Sequence, residues 1–142
     1  MPIEISQIRE LADKIFDKVN AYREHLHSNP ELSYKEYNTA KFVSEKLADI
    51  GIESTSIGGT GVMALISGEQ HGDNDKCIAL RADLDALPIQ EENEVSYKSK
   101  NDGVMHACGL IGSNKLLEIW GCQLEIWTGY SPHIFYWSLF RF

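Results

Sequence analysis

Cysteine, basic charge and long apolar runs are all scarce in this chain, and each shortage excludes a class of protein. The three cysteines, Cys77, Cys108 and Cys122, are odd in number and irregularly spaced. They make a poor disulfide framework, so a reducing cytoplasm is the expected location. Lysine and arginine total 13 against 21 acidic residues, a net charge of -8. That balance excludes a nucleic-acid partner, which needs a basic face to displace counterions. No apolar run approaches the ~18 residues that span a bilayer, so no transmembrane segment is expected. The opening M-P-I-E-I-S-Q-I-R-E is charged and lacks the continuous apolar core of a secretory signal. What remains is a 142-residue chain, 43% hydrophobic and 24% charged, of the size and balance of one soluble globular domain.

The N-terminal half has helical periodicity. Ile8, Leu11, Ile15, Val19, Tyr22 and Leu26 recur at steps of three and four, which places one apolar stripe along a helix. Asn29-Pro30 ends it, because proline disfavours helical geometry in the residue before it. A second helix is predicted from about Tyr34, with Ala40, Val43, Leu47 and Ile50 on one face and Gly51 closing it. The period then changes. Gly58-Gly59-Thr60-Gly61 is a turn, and residues 62–66 form an apolar run of strand length. A polar loop over 69–76 leads to a second buried strand over 77–82. Helices followed by short apolar runs predict an α/β fold, with two helices packed on a sheet that holds both runs.

From about Leu110 the composition shifts. Residues 110–142 hold eight of the 14 aromatics and all three tryptophans, but only four charged residues. Ser113 to Trp120 could form one short helix, and Ile134 to Phe140 has a partial strand reading. The rest shows no sustained helical period.

Two stretches could build a metal site. Asp83-Leu84-Asp85 leaves the second predicted strand at its carboxyl end, where open α/β sheets place their ligand crevices. Carboxylates two apart on extended backbone point to opposite sides, so one of them faces a given site. His106-Ala107-Cys108 sits in the glycine-flanked loop G-V-M-H-A-C-G, and imidazole and thiolate are both good zinc ligands. Each residue also has a plain reading. Cys108 could be a small buried hydrophobe, His106 a hydrogen-bonded loop residue, and Asp83 and Asp85 solvated or capping groups. Cys77 lies in an apolar strand and reads as core, while Cys122 and His133 have no partner at metal-binding spacing.

Four motifs narrow this choice: Y-R-E-H-L-H-S-N-P-E-L-S, G-G-T-G-V-M-A-L-I-S-G, R-A-D-L-D-A-L-P-I-Q-E-E-N and D-G-V-M-H-A-C-G, in that order over residues 22–109. Together they resemble the metal-dependent amidohydrolases of the aminoacylase and carboxypeptidase clan. Within it they are most similar to the branch of hippurate hydrolases, N-acetyldiaminopimelate deacetylases and auxin-conjugate hydrolases. The resemblance implies the N-terminal fragment of a phosphorylase/hydrolase-like metallopeptidase catalytic domain, with helices packed on a mixed sheet. It implies hydrolysis of the amide bond of N-acyl amino acids, two divalent ions (zinc or manganese) per site, and a homo-oligomer in full-length relatives. On its pattern Asp85 orients the site and Cys108 is a metal ligand.

The match then breaks. The family continues H-A-C-G as H-A-C-G-H-D, and its next histidine is a ligand; here Leu110 and Ile111 stand at those positions. Leucine has no lone pair to give. Glu91-Glu92 belongs to the Q-E-E-N stretch and is not the family's glutamate pair, and the lid domain is absent. Residues 1–109 therefore read as a partial amidohydrolase catalytic domain, and 110–142 as an unmatched aromatic-rich tail. That junction reads as a frameshift or mis-joined gene product, with a natural truncation as the alternative. The chain is expected to be inactive alone. Two other readings stay open: a non-catalytic interaction module using the aromatic tail, and a small zinc protein using His106 and Cys108.

Overall fold

A computed structural model describes residues 4–66, 76–108 and 125–130, the last six and 76–79 as backbone only. Two helices are followed by two antiparallel strand pairs: α1 (Ile5–Ser28), α2 (Tyr37–Ala48), β1 (Ser54–Ile57), β2 (Gly61–Ala64), β3 (Lys76–Arg81) and β4 (Glu125–Tyr130).

Both helices end where local chemistry stops them. The Glu4 N–H donates to Gln7 Oε1 at 3.1 Å, which occupies one backbone donor that the first turn of α1 leaves unpaired. At the other end the Asn29 side chain donates to the His25 carbonyl at 2.7 Å, and Pro30 follows. The second helix begins at Tyr37 rather than near Tyr34, whose φ of 65° lies in the left-handed region. Glu31 caps it from outside: its carboxylate accepts the Asn38 and Thr39 N–H groups at 3.3 and 2.8 Å. Gly51, at φ 78°, closes α2 as expected. Its N–H reaches the Ala48 carbonyl, and the Ile52 N–H reaches that of Leu47, both at 2.9 Å.

The two helices meet near the end of α1. The Tyr22 and Phe42 rings pack edge to face at 5.6 Å, and the His25 ring stacks on Phe42 at 4.3 Å. The first half of α1 is not covered by any described residue. Ile8, Leu11 and Ile15, the predicted apolar stripe, are 51–60% exposed.

β1 and β2 form a hairpin with Ile57 opposite Gly61 and Ser54 opposite Ala64, and α2 lies against it. The turn needs its glycines. Gly58 and Gly59 have φ of 63° and 94°, and a Cβ on Gly61 would sit 2.7 Å from the Ile57 carbonyl oxygen. The expectation of one sheet holding 62–66 and 77–82 is not met among the described residues, where β2 and β3 belong to separate pairs. The three-residue turn fixes β1 as the antiparallel neighbour of β2, while β3 pairs with β4, from Lys76 opposite Tyr130 to Arg81 opposite Glu125. The tail thus contributes a strand that its pattern did not predict. The expected helix over 113–120 and strand over 134–140 lie outside the described residues.

Beyond β3 the chain is held by loops packed on loops. The Ala86 N–H bonds the Glu31 carbonyl at 2.8 Å beside a parallel bridge between Leu32 and Ala86. Among the described residues the buried apolar side chains are Pro30 and Ala86, whereas Ser28, Glu36, Thr39, Thr60 and Glu91 are all buried. The interior here is mostly polar, so hydrogen bonds fix it as much as apolar burial does.

Candidate active-site loops

The segment that leaves β3 turns back on itself. Leu87 and Met105 exchange both backbone bonds, with N–H to carbonyl distances of 2.9 and 3.0 Å, across an antiparallel bridge. Asp85 lies two residues before Leu87, and Cys108 three after Met105, so this bridge holds their two segments side by side. The stretch leading to Met105 is tied to the end of α1 and the residues just after it: the Lys100 N–H bonds the Ser28 carbonyl at 3.0 Å, and the Asn101 side chain bonds that of Pro30 at 2.7 Å. The Asp85 stretch is tied there through the Ala86–Glu31 bond.

The candidate residues differ in their surroundings. Asp83 is occupied by Arg81, whose Nε and Nη2 lie 3.1 and 3.0 Å from its Oδ1, a forked pair that suits a positioning role for the strand end. Asp85 is half-buried on the same stretch and has a partner of its own. Cys108 is exposed, so the alternative of a small buried hydrophobe is set aside. His106 also departs from its plain reading. Its Nε2 is buried and meets no partner among the described residues. Burial, with a smaller contribution from the nearby His27, pulls its pKa down from 6.5 to about 4, so the ring is neutral at neutral pH.

A neutral imidazole nitrogen with no partner and an exposed thiol two residues on are suitable donors for a soft or borderline divalent ion. They are too few for a centre. Among the described residues no three His, Cys, Asp or Glu side chains gather in a group that could hold a metal. The residues present thus fit one edge of a metal site and no more. Leu110 and Ile111 lie outside the described residues.

Sequence reasoning missed the group that organises these loops. Glu91, 3% exposed, lies 2.9 Å from His27 Nε2 and accepts the Ser99 N–H at 2.6 Å. Burial alone would raise its pKa. The Ser99 N–H, the hydrogen bond and charge of His27, and Asn93 outweigh that and hold it below the usual 4.5. Partners 64 residues apart leave no periodic signature, so no local pattern could have found this pair.

Comparison with known proteins gives the setting. Residues 79–117 match the family described as Peptidase family M20/M25/M40, a match that runs past Gly109. The chain is 48% identical over 112 residues to an N-acyl-L-amino acid amidohydrolase of Geobacillus stearothermophilus, covering 78% of this chain and 30% of that protein. It is 44% identical over 106 residues to thermostable carboxypeptidase 2 of Saccharolobus solfataricus, covering 74% and 26%. Among solved structures it is similar to the Bacillus subtilis YXEP protein, described as a dinuclear metal binding peptidase from the M20 family. There the TM-score is 0.61 and the identity 41%, over 68% of this chain and 27% of that one. The chain spans less than a third of the length of these relatives. Over the part it spans, the resemblance to metal-dependent amidohydrolases and peptidases is plain in sequence and in fold.

Proposed function

We propose that this chain, as an M20-like N-terminal segment, belongs to a metal-dependent amidohydrolase that cleaves the amide bond of N-acyl amino acids, and works in the cytoplasm. The observation that carries the reading is the Leu87–Met105 bridge, because it sets the Asp85 and Cys108 segments side by side. The name of the Geobacillus relative supports the N-acyl amino acid class, and the description of the Bacillus structure supports two divalent ions, with zinc or manganese the expected metal.

In this reading the Cys108 thiolate is a metal ligand, and Asp85 orients the site from the facing segment. Divalent ions, when bound, supply polarisation of the amide carbonyl and an activated water near neutral pH. The chain's own part is to present the thiol on an exposed segment and to hold the Asp85 segment alongside it. Residues 1–109 form the catalytic-domain portion and 110–142 a distinct tail, even though β4 of that tail pairs with β3. A homo-oligomer is proposed only for full-length relatives.

Cobalt is a spectroscopic substitute for the native ion. Titrating it into the purified chain is expected to give a thiolate-to-cobalt absorption band that disappears in Cys108→Ser. A band that survives this substitution would remove Cys108 from the ligand set.

A further inference from the structure

We infer that Glu91 is a positioning residue for the segment that carries His106 and Cys108, and that it acts through Ser99. The inference deepens the proposed function, since it rests on that segment presenting Cys108 to a metal. Glu91 stands apart from its surroundings: Glu92, Asn93 and Glu94 are exposed, while the Glu91 side chain is 1% exposed. Its two oxygens serve different elements. Oε1 meets His27 on α1 at 2.9 Å, and Oε2 takes the Ser99 N–H at 2.6 Å. The Ser99 hydroxyl in turn donates to the Val104 carbonyl at 2.7 Å and accepts the Asn101 N–H at 3.1 Å. Val104 immediately precedes Met105, whose paired bonds with Leu87 hold the Asp85 segment alongside. One carboxylate thereby links α1 to the residue that leads into the Met105 bridge and the segment beyond it.

The anchor on α1 is itself fixed. The His27 ring meets Tyr97 edge-on at 5.5 Å, the Arg23 guanidinium lies 4.6 Å from the same ring's centroid, and Ser28 Oγ donates to the Tyr97 carbonyl at 2.9 Å. A buried acceptor between two anchored elements transmits position, because losing it leaves the Ser99 N–H unpaired in an enclosed place. A pair that only stabilised the fold would loosen all its neighbours alike. A positioning role instead predicts an effect that follows Ser99 into residues 104–108.

The test uses the full 142-residue chain, with amide hydrogen exchange and the Cys108-dependent cobalt band as readouts. Glu91→Ala is expected to speed exchange at the Met105 amide and weaken cobalt binding, each by roughly tenfold, at unchanged helix content. Glu91→Gln keeps an oxygen for the Ser99 N–H and is expected to restore both. Ser99→Ala cuts the link to Val104 while leaving the Glu91–His27 contact in place. It should therefore reproduce the downstream loosening even if Glu91→Ala unfolds the chain. Unchanged Met105 exchange in Ser99→Ala overturns the inference, whatever the cobalt result. A wild-type spectrum with no dependence on Cys108 overturns the ligand assignment instead, and the exchange result still decides the positioning role.

Discussion

His106 is the residue whose protonation the fold resists. Its folded pKa of about 4 lies below the ordinary 6.5, so between those values the unfolded chain binds a proton that the folded chain refuses. Stability should therefore be full above pH 6.5 and fall as the pH drops towards 4. The loss should be on the order of 2 kcal/mol, allowing for the partial exposure of the ring. Urea midpoints at pH 7 and pH 5 should differ in that direction, and His106→Phe should flatten the slope; a slope that survives the substitution assigns it to another group. Glu91 acts in a lower window. Its pKa is held below 4.5, so its contribution is lost only as the pH falls through that depressed value. Glu31 offers a second test at this scale. It accepts two N–H groups at the start of α2, as an N-cap side chain would, and its pKa is lowered despite the opposing effect of burial. Glu31→Ala should cost about 1 kcal/mol in chemical denaturation, within the usual range for a lost cap; no measurable change would make the contact incidental. At the candidate site, sequence singled out Asp85, His106 and Cys108 as candidates because short motifs mark donor types. It did not expose Glu91 or Glu31, whose partners are set by tertiary packing.

At the scale of elements, what a local pattern controls was readable and what a distant partner controls was not. Helix α1 follows from its three-and-four spacing and from Pro30, and the end of α2 from Gly51. The start of α2 was placed three residues early, because nothing local signals that Glu31 supplies the cap. The β1–β2 turn was legible in its glycines, but β1 itself, S-T-S-I, has too little apolar alternation to announce a strand. β4, E-I-W-T-G-Y, is rich in β-formers yet only six residues long, and its pairing with β3 spans more than forty residues. The hairpin yields a direct test. Gly61→Ala would drive a Cβ to 2.7 Å from the Ile57 carbonyl oxygen, which is backbone and cannot swing away. The hairpin should shift or open at a cost of roughly 1–3 kcal/mol, read as a lower denaturation midpoint and faster exchange of its strand amides. Unchanged midpoint and exchange would show that the turn has room to relax.

At the scale of the whole molecule, the described residues combine well-formed local structure with few buried apolar side chains and a thin donor set. Ile8, Leu11, Ile15 and Phe16 are each at least 51% exposed along the first half of α1, on a helix whose second half is pinned by aromatic contacts. An apolar stripe of this kind favours association, so the purified chain should sediment as more than a monomer, and Ile8→Lys with Ile15→Lys should shift it towards one; a monomeric wild type would show that the stripe is covered. The same whole-molecule view governs activity. Two-metal hydrolysis needs several ligands and a general base, yet the described residues gather no three donor side chains. On the family resemblance, Leu110 and Ile111 occupy the positions of a ligand histidine and its following aspartate, and leucine cannot coordinate. Losing even an outer partner of a metal ligand typically costs ~10–100-fold in affinity or activity. The 142-residue chain should therefore bind zinc, manganese or cobalt weakly and leave N-acetyl- and N-benzoyl-amino acids intact. Leu110→His with Ile111→Asp supplies one nitrogen donor and one carboxylate beside Cys108. It should tighten cobalt binding by about tenfold or more, in a manner that Cys108→Ser abolishes. Hydrolysis would still be absent, because one added ligand does not provide the base. Equal cobalt affinity in the wild type and the double variant would show that positions 110 and 111 do not reach a metal held by Cys108. Steady turnover by the unmodified chain, lost in Cys108→Ala, would show that a working centre forms from residues beyond those described.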